Sequence, residues 1–291
     1  MLSLPLFVNL AFTALPLGAA CKTQPQMPLN RKAEQIYDQM PFTTGEHMRL
    51  NVRYMGLSAG FLDFHVLAPV AYNNIWHMGF HVLVETGDWY EKIFKAKDEG
   101  TAYTLPGFVA SQFRLTQSHI PLLGRTYVED KMLLFDLKEC DTLEEYRDPN
   151  GKAIKSVHAD WEPDATDILG ALYKLRTLDY VKNQETRIKV YTSEKNWWLT
   201  ASREDFVMLT VPAGKFKAVR LKLQTFIGKE LQQKGKAWIW IAFEDPKHPL
   251  LKIEADIKIG SFIAVLSEFK VGEALTRPPE SPSPNFVIQK Q

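Results

Sequence analysis

Short apolar segments recur along most of this chain, separated by glycine, proline and asparagine. Leu50, Val52 and Tyr54 fall two residues apart, the period of a strand with one buried face. The aromatic and β-branched run at 61–67 suits a second strand, with Gly56 and Gly60 bounding a turn between the two. Apolar stretches at 76–85, 90–96, 108–116 and 126–136 predict further strands. Asp148-Pro149-Asn150-Gly151 predicts a hairpin turn between strands at 143–147 and 153–157. Proline presets φ at the second position and Asn-Gly tolerates positive φ.

One segment breaks this rhythm. Ile168, Leu169, Leu172, Leu175 and Leu178 form a stripe of helical period, which predicts a helix over 164–178. Asp164 is its expected N-cap after Pro163, and Asp167 places a carboxylate near the positive helix end. Beyond the helix, strands are predicted at 187–191, 197–201, 206–211, 216–226, 234–243, 250–257 and 261–269. Within 236–243 both faces are apolar: Trp238 and Trp240 on one, Ile239, Ile241 and Phe243 on the other. Such a strand must be covered on both sides or line an apolar cavity. The expected fold is therefore mainly β. It consists of curved antiparallel sheets, sandwich or open-barrel-like, in two strand-rich halves (41–160 and 180–272) around the helix.

The ends read differently. Residues 2–20 carry no charged side chain and finish in Gly18-Ala19-Ala20 before Cys21, the pattern of an export signal over 1–20. Two processing routes fit: Cys21 becomes the lipidated first residue of a lipoprotein, or the signal is cleaved without lipidation. Glycine stands three residues before Cys21, where a lipobox carries leucine, and the segment has no leading Lys or Arg. A transmembrane anchor fits less well, given Pro5, Pro16 and the lack of flanking charges. Residues 21–40 read as a flexible tether. Residues 273–291, with Pro278, Pro279, Pro282 and Pro284, read as a disordered tail. The net charge of +1 and the absence of a basic helical pattern argue against nucleic acid as a partner. Cys140, the other cysteine, lies among acids that raise a thiol pKa and is read as a spectator thiol; if Cys21 is lipidated or lies close to the cleavage point, no structural disulfide remains.

Four segments in order resemble a known family. They are Gly45-Glu46 through Tyr54-Met55-Gly56-Leu57-Ser58-Ala59-Gly60, the helix Asp167-Ile168-Leu169-Gly170-Ala171-Leu172-Tyr173-Lys174-Leu175-Arg176, and Val211-Pro212-Ala213-Gly214-Lys215-Phe216 with Val219 beyond. The last runs from Trp238 to Phe243, Asp245 and Pro249 to Ile253, closing on Lys258-Ile259-Gly260-Ser261. The set spans Phe42 to Leu266 and resembles the bacterial family called domain of unknown function 3108. The resemblance implies a β-rich exported protein, in many members a lipoprotein. It supplies no established activity and no catalytic residues.

Candidate chemistry is sparse. Gly56-Leu57-Ser58-Ala59-Gly60 matches the G-x-S-x-G pattern, but a nucleophile elbow needs a helix after the serine, and a strand is predicted there. His77 and His81 are four apart on a predicted strand, roughly 13 Å, too far to share one metal ion. Asp160, Glu162, Asp164 and Asp167 lack the calcium-loop spacing and suit a helix start. Glu244, Asp245 and His248 lie in a turn predicted by Pro246 and Pro249, not as paired carboxylates facing one substrate. No metal site and no cofactor is expected. Trp197, Trp198, Trp238 and Trp240 remain, either as core or as the lining of an apolar site.

The expected function is a non-enzymatic envelope module on the periplasmic side. It binds an apolar ligand such as lipid through these four tryptophans and is tied to the outer membrane through Cys21. The alternative is a scaffold contacting envelope protein or peptidoglycan. An enzyme acting on envelope polysaccharide lacks any catalytic pair that could be placed.

Overall fold

The computed structural model describes residues 39–273, apart from 73–74, 138, 148–151, 159–160, 193–194, 233–234 and 257–259. The predicted signal, tether, tail and 148–151 turn thus lie wholly or almost wholly outside the described residues. Strands β1 (His47–Tyr54) and β2 (Leu57–Tyr72) form the first hairpin. Its turn is Met55-Gly56, with φ of 49° and 82°. Two consecutive positive φ values make a tight turn whose twist matches that of the strands. The turn is thus shorter than the expected 56–60, and Ser58 belongs to β2. Gly60 lies beside the β-bulge at Val52/Arg53, with φ of 154°. A Cβ there would sit 2.0 Å from the Glu85 carbonyl oxygen, so only glycine fits.

The meander continues through β3 (Ile75–Thr86), β4 (Phe94–Leu105), β5 (Val109–Pro121), β6 (Tyr127–Asp136), β7 (Asp141–Arg147) and β8 (Ala153–His158). Helix α1 (Ile168–Leu175) follows. The second meander comprises β9 (Glu185–Thr192), β10 (Lys195–Val211), β11 (Gly214–Ile227), β12 (Glu230–Leu231), β13 (Ala237–Ala242), β14 (Leu250–Asp256) and β15 (Ser261–Lys270). Strand β15 returns to pair with β1, so both halves belong to one antiparallel sheet. Its order is β8-β7-β6-β5-β4-β3-β2-β1-β15-β14-β13-β11-β10-β9, with β12 attached to β11. The sheet is not closed.

The two margins of the sheet nonetheless approach each other. Phe135 of β6 lies 5.3 Å from Trp161 and 5.8 Å from Tyr191 of β9, ring to ring. Thr142 of β7 shares a hydrogen bond of 3.2 Å with the Tyr191 hydroxyl. Backbone bonds tie Thr166 to Lys189 and Tyr191, satisfying part of the β9 edge. The inner faces of both meanders and α1 share one apolar core. Tyr173 of α1 stacks on Phe80 at 4.0 Å and meets the Phe42 ring edge at 5.1 Å.

Three boundaries differ from expectation for identifiable reasons. Helix α1 starts at Ile168 because Asp167 is the cap; its Oδ1 accepts from the backbone N–H groups of Leu169 and Gly170, each at 2.8 Å. Asp164 instead receives Lys189 Nζ at 2.7 Å. The predicted strands at 197–201 and 206–211 are one strand, β10, kinked by a bulge around Glu204. Strand β4 begins after a 3₁₀ turn (Tyr90–Lys92) and runs on to Leu105, well past the predicted end at 96. Its inner Asp98 obscures the apolar pattern. That carboxylate is buried because His119 and Gln117 of β5 hydrogen-bond to it at 2.7 and 3.0 Å.

Candidate functional site

Register decides which side chains meet. Across the second meander, one face carries Arg187 and Lys189 (β9), Trp198 and Thr200 (β10), and Arg220, Lys222 and Phe226 (β11). Trp238 and Trp240 (β13) and Lys252 (β14) continue it. The opposite face carries Leu199, Leu221, Ile239 and Ile241, all buried in the core. Trp198, Trp238 and Trp240 thus share the outer face. Trp197 points the other way and packs against the core.

The outer tryptophans are interleaved with cations. Lys189 Nζ lies 5.1 Å from the Trp198 ring, and the Arg220 guanidinium lies 5.0 and 5.4 Å from Trp238 and Trp240. Lys252 Nζ covers Trp240 at 4.4 Å. Trp238 Nε1 donates to Glu204 Oε2 at 3.0 Å, and Arg220 pairs with the same carboxylate at 3.1 Å. The ring quadrupole attracts each of these cations. Burial pushes the Lys189 ammonium pKa down, but bonds from Asp164 and Glu162 outweigh it, leaving the group raised and charged. Trp240 is 7% exposed and Trp198 36%, so Trp198 is the more accessible ring. Beside it a cleft of about 230 Å³ is lined by Arg187, Trp198, Thr200, Phe226, Gly228 and Lys229.

The remaining candidates resolve into local roles. Ser58 lies exposed on β2, outside any strand–serine–helix context. Ser156 Oγ is 3.0 Å from His158 Nε2, and Glu144 Oε2 is 3.4 Å from that same nitrogen. A catalytic triad needs serine and carboxylate on opposite ring nitrogens, so this trio does not form one. Glu244 pairs with Lys217, Asp245 accepts from the Lys247 backbone N–H, and His248 Nδ1 meets the Arg176 carbonyl oxygen. Burial pushes His77 down to about 4, favouring its neutral form. Asp160 lies outside the described residues. Cys140 corrects the spectator reading: it is disulfide-bonded, and the chain's other cysteine, Cys21, lies outside the described residues. The acid-rich neighbourhood bears on thiol reactivity and says nothing about whether a partner sulfur reaches it.

Two arrangements escaped the sequence reading. A row of imidazoles crosses β1, β2 and β3 on the outer face: His47 stacks on His65 at 4.5 Å, and His65 lies 5.8 Å from His81. Asp63 holds His47 at 2.9 Å and Arg49 through two bonds of 2.8 and 2.6 Å. Burial, then the His47 and His81 charges, push His65 below the usual imidazole range. No sequence signal marks this row, because it depends on strand register. The second is a buried ion pair. Arg176 Nη1 and Nη2 donate to Glu46 at 2.6 and 3.0 Å, and the guanidinium also donates to the His248 and Lys247 carbonyls. It fastens the end of α1 to the entry of β1.

A family model described as protein of unknown function (DUF3108) matches residues 49–267, and the chain belongs to that family. No curated protein matches it. Among solved structures, a β-barrel-like protein of domain of unknown function DUF1849 from Brucella abortus is similar, with a TM-score of 0.53 and 9% identity. The match covers 80% of this chain and 99% of that one, a likeness of fold alone. A candidate exported protein with a YmcC-like fold from Bacteroides fragilis covers 79% of this chain and 98% of its own at 12% identity, TM-score 0.36. A candidate lipoprotein from Parabacteroides distasonis covers 80% and 98% at 14% identity, TM-score 0.31. Those two scores are too low to bear on the fold.

Proposed function

We propose that this DUF3108 protein is a non-enzymatic binding module of the bacterial cell envelope, exported to the periplasm or the outer membrane. Its ligand is an amphiphile, a lipid with an anionic headgroup, held on the outer face against Trp198. The observation that carries this reading is the cleft at Trp198, where Arg187 and Lys229 stand beside two aromatic rings. Guanidinium and ammonium groups suit an anionic head, and the rings of Trp198 and Phe226 suit an apolar stem. Trp238 and Trp240 extend the same face, while Trp197 supports it from the core side.

Export is supported by the uncharged apolar segment at 2–20, which ends in small residues before Cys21. Lipidation of Cys21 would add a membrane tether.

Native mass spectrometry of protein purified from envelopes, followed by organic extraction, tests the reading. A defined lipid that persists in the wild type and is lost from Trp198→Ala supports it. A wild-type mass equal to the bare or Cys21-acylated chain rejects tight ligand binding. Scaffolding of envelope protein or peptidoglycan is the second reading. The inner face favours it, because Phe42, Phe80, Phe108 and Tyr173 fill the space beneath the curled sheet with one another's rings.

A further inference from the structure

The end of the sheet opposite α1 carries a projecting apolar tip. Leu122 and Leu123, between β5 and β6, are 70% and 88% exposed, and Trp89, between β3 and β4, is 56% exposed. Ile93 and, on the first hairpin, Met55 and Leu57 are also exposed. These three connections form one surface. The Leu122 N–H donates to the Ile93 carbonyl at 2.8 Å, the Gly87 N–H donates to the Ala59 carbonyl at 2.9 Å, and the Tyr90 ring meets Tyr54 at 6.4 Å. The fold has reason to bury Tyr90 but none to expose its neighbours, since adjacent strands present apolar residues at the same end.

Charge frames the tip. Arg53, Lys92, Lys95 and Arg125 are exposed around it. Asp88 and Glu91 are the acids on the β3–β4 connection, and Glu91 is answered by Lys95 at 3.2 Å. Leucines at loop ends, a tryptophan beside them and cations behind match the requirements of a bilayer interface. There apolar tips enter the acyl boundary, indole sits at headgroup level, and Lys and Arg meet anionic lipids.

We propose that the Trp89/Leu122/Leu123 tip docks the protein onto a lipid surface bearing anionic headgroups, independently of any lipid on Cys21 and of the Trp198 cleft. The test is flotation of the full chain with vesicles of phosphatidylethanolamine and phosphatidylglycerol, beside vesicles of phosphatidylcholine alone. The wild type is expected to float with the anionic vesicles and only weakly with phosphatidylcholine. The L122D/L123D variant should bind about tenfold less or weaker still, and Trp89→Ser should fall between, since each removes apolar surface from the interface. Both variants alter exposed side chains and should keep the wild-type circular dichroism spectrum and melting temperature.

Equal flotation of wild type and L122D/L123D would overturn the proposal, because binding would then come from the N-terminus or the Trp198 cleft, which both share. Equal binding to both vesicle types would overturn the anionic preference. A wild type that stays at the bottom of the gradient, yet forms a dimer that L122D/L123D abolishes, would assign the tip to self-association instead.

Discussion

Asp167→Asn is the substitution whose effect follows most directly from the structure. The Asp167 carboxyl is fully buried at the start of α1. Its Oδ1 caps the helix, but its Oδ2 has no hydrogen-bond partner among the described residues. Burial pushes its pKa up to about 6 from an ordinary 3.8, and the N–H groups of Gly170 and Leu169 only partly offset this. The folded state therefore binds the proton more tightly than the unfolded chain. This contribution is fully present below the unfolded value and is lost as pH rises from about 4 to about 6. A shift of about two pH units corresponds to about 3 kcal/mol. Asparagine caps a helix as well as aspartate and cannot ionise. The variant should match the wild type near pH 4 and exceed its stability at pH 7 by up to about 3 kcal/mol.

The difference between the two proteins must be measured, because His77 works against Asp167 in the same window. Its folded pKa of about 4 is depressed by burial, so its contribution is present above the unfolded 6.5 and lost as pH falls. The wild-type profile alone can therefore be nearly flat. Urea unfolding followed by tryptophan fluorescence, on both proteins at half-unit steps from pH 4 to pH 7, gives the difference directly. Parallel profiles, or an Asn variant weaker than wild type at pH 7, would refute the buried-carboxyl argument.

His77→Gln should gain stability relative to wild type as pH falls from 6.5 towards about 4, read from the same urea series. Arg176→Met should cost about 3–5 kcal/mol by leaving Glu46 buried without its partner. The E46L/R176M double variant should recover most of that loss, as chemical denaturation would record. Gly60→Ala should destabilise by more than about 2 kcal/mol, because its Cβ would meet the Glu85 carbonyl oxygen at 2.0 Å; the urea midpoint checks this.

Local chemistry made much of the strand pattern legible. The alternation of tryptophan and isoleucine in β13 divides its residues between two faces, as the sheet does. The leucine stripe located α1, although its limits depended on a choice between two aspartates, Asp164 and Asp167, that only Lys189 resolves. Strand β4 was cut short because a buried aspartate looks like a surface residue until His119 is seen beside it. For the candidate site, period alone separates Trp197 from Trp198. The outward direction of Trp198 and the cations over each indole follow from strand neighbours far away in the chain.

The sequence by itself determined the elements that nearest neighbours decide: strand period, a glycine turn after the first strand and an amphipathic helix between two β-rich halves. It also carried enough of the DUF3108 pattern to identify the family. Tertiary structure decided the joining of the halves through β1 and β15, the imidazole row and the pairing of Glu46 with Arg176. Each of these depends on register or on contacts between distant segments. Their energies are set by which partners share a buried, low-dielectric space, and that is specified only when the whole sheet curls around its core.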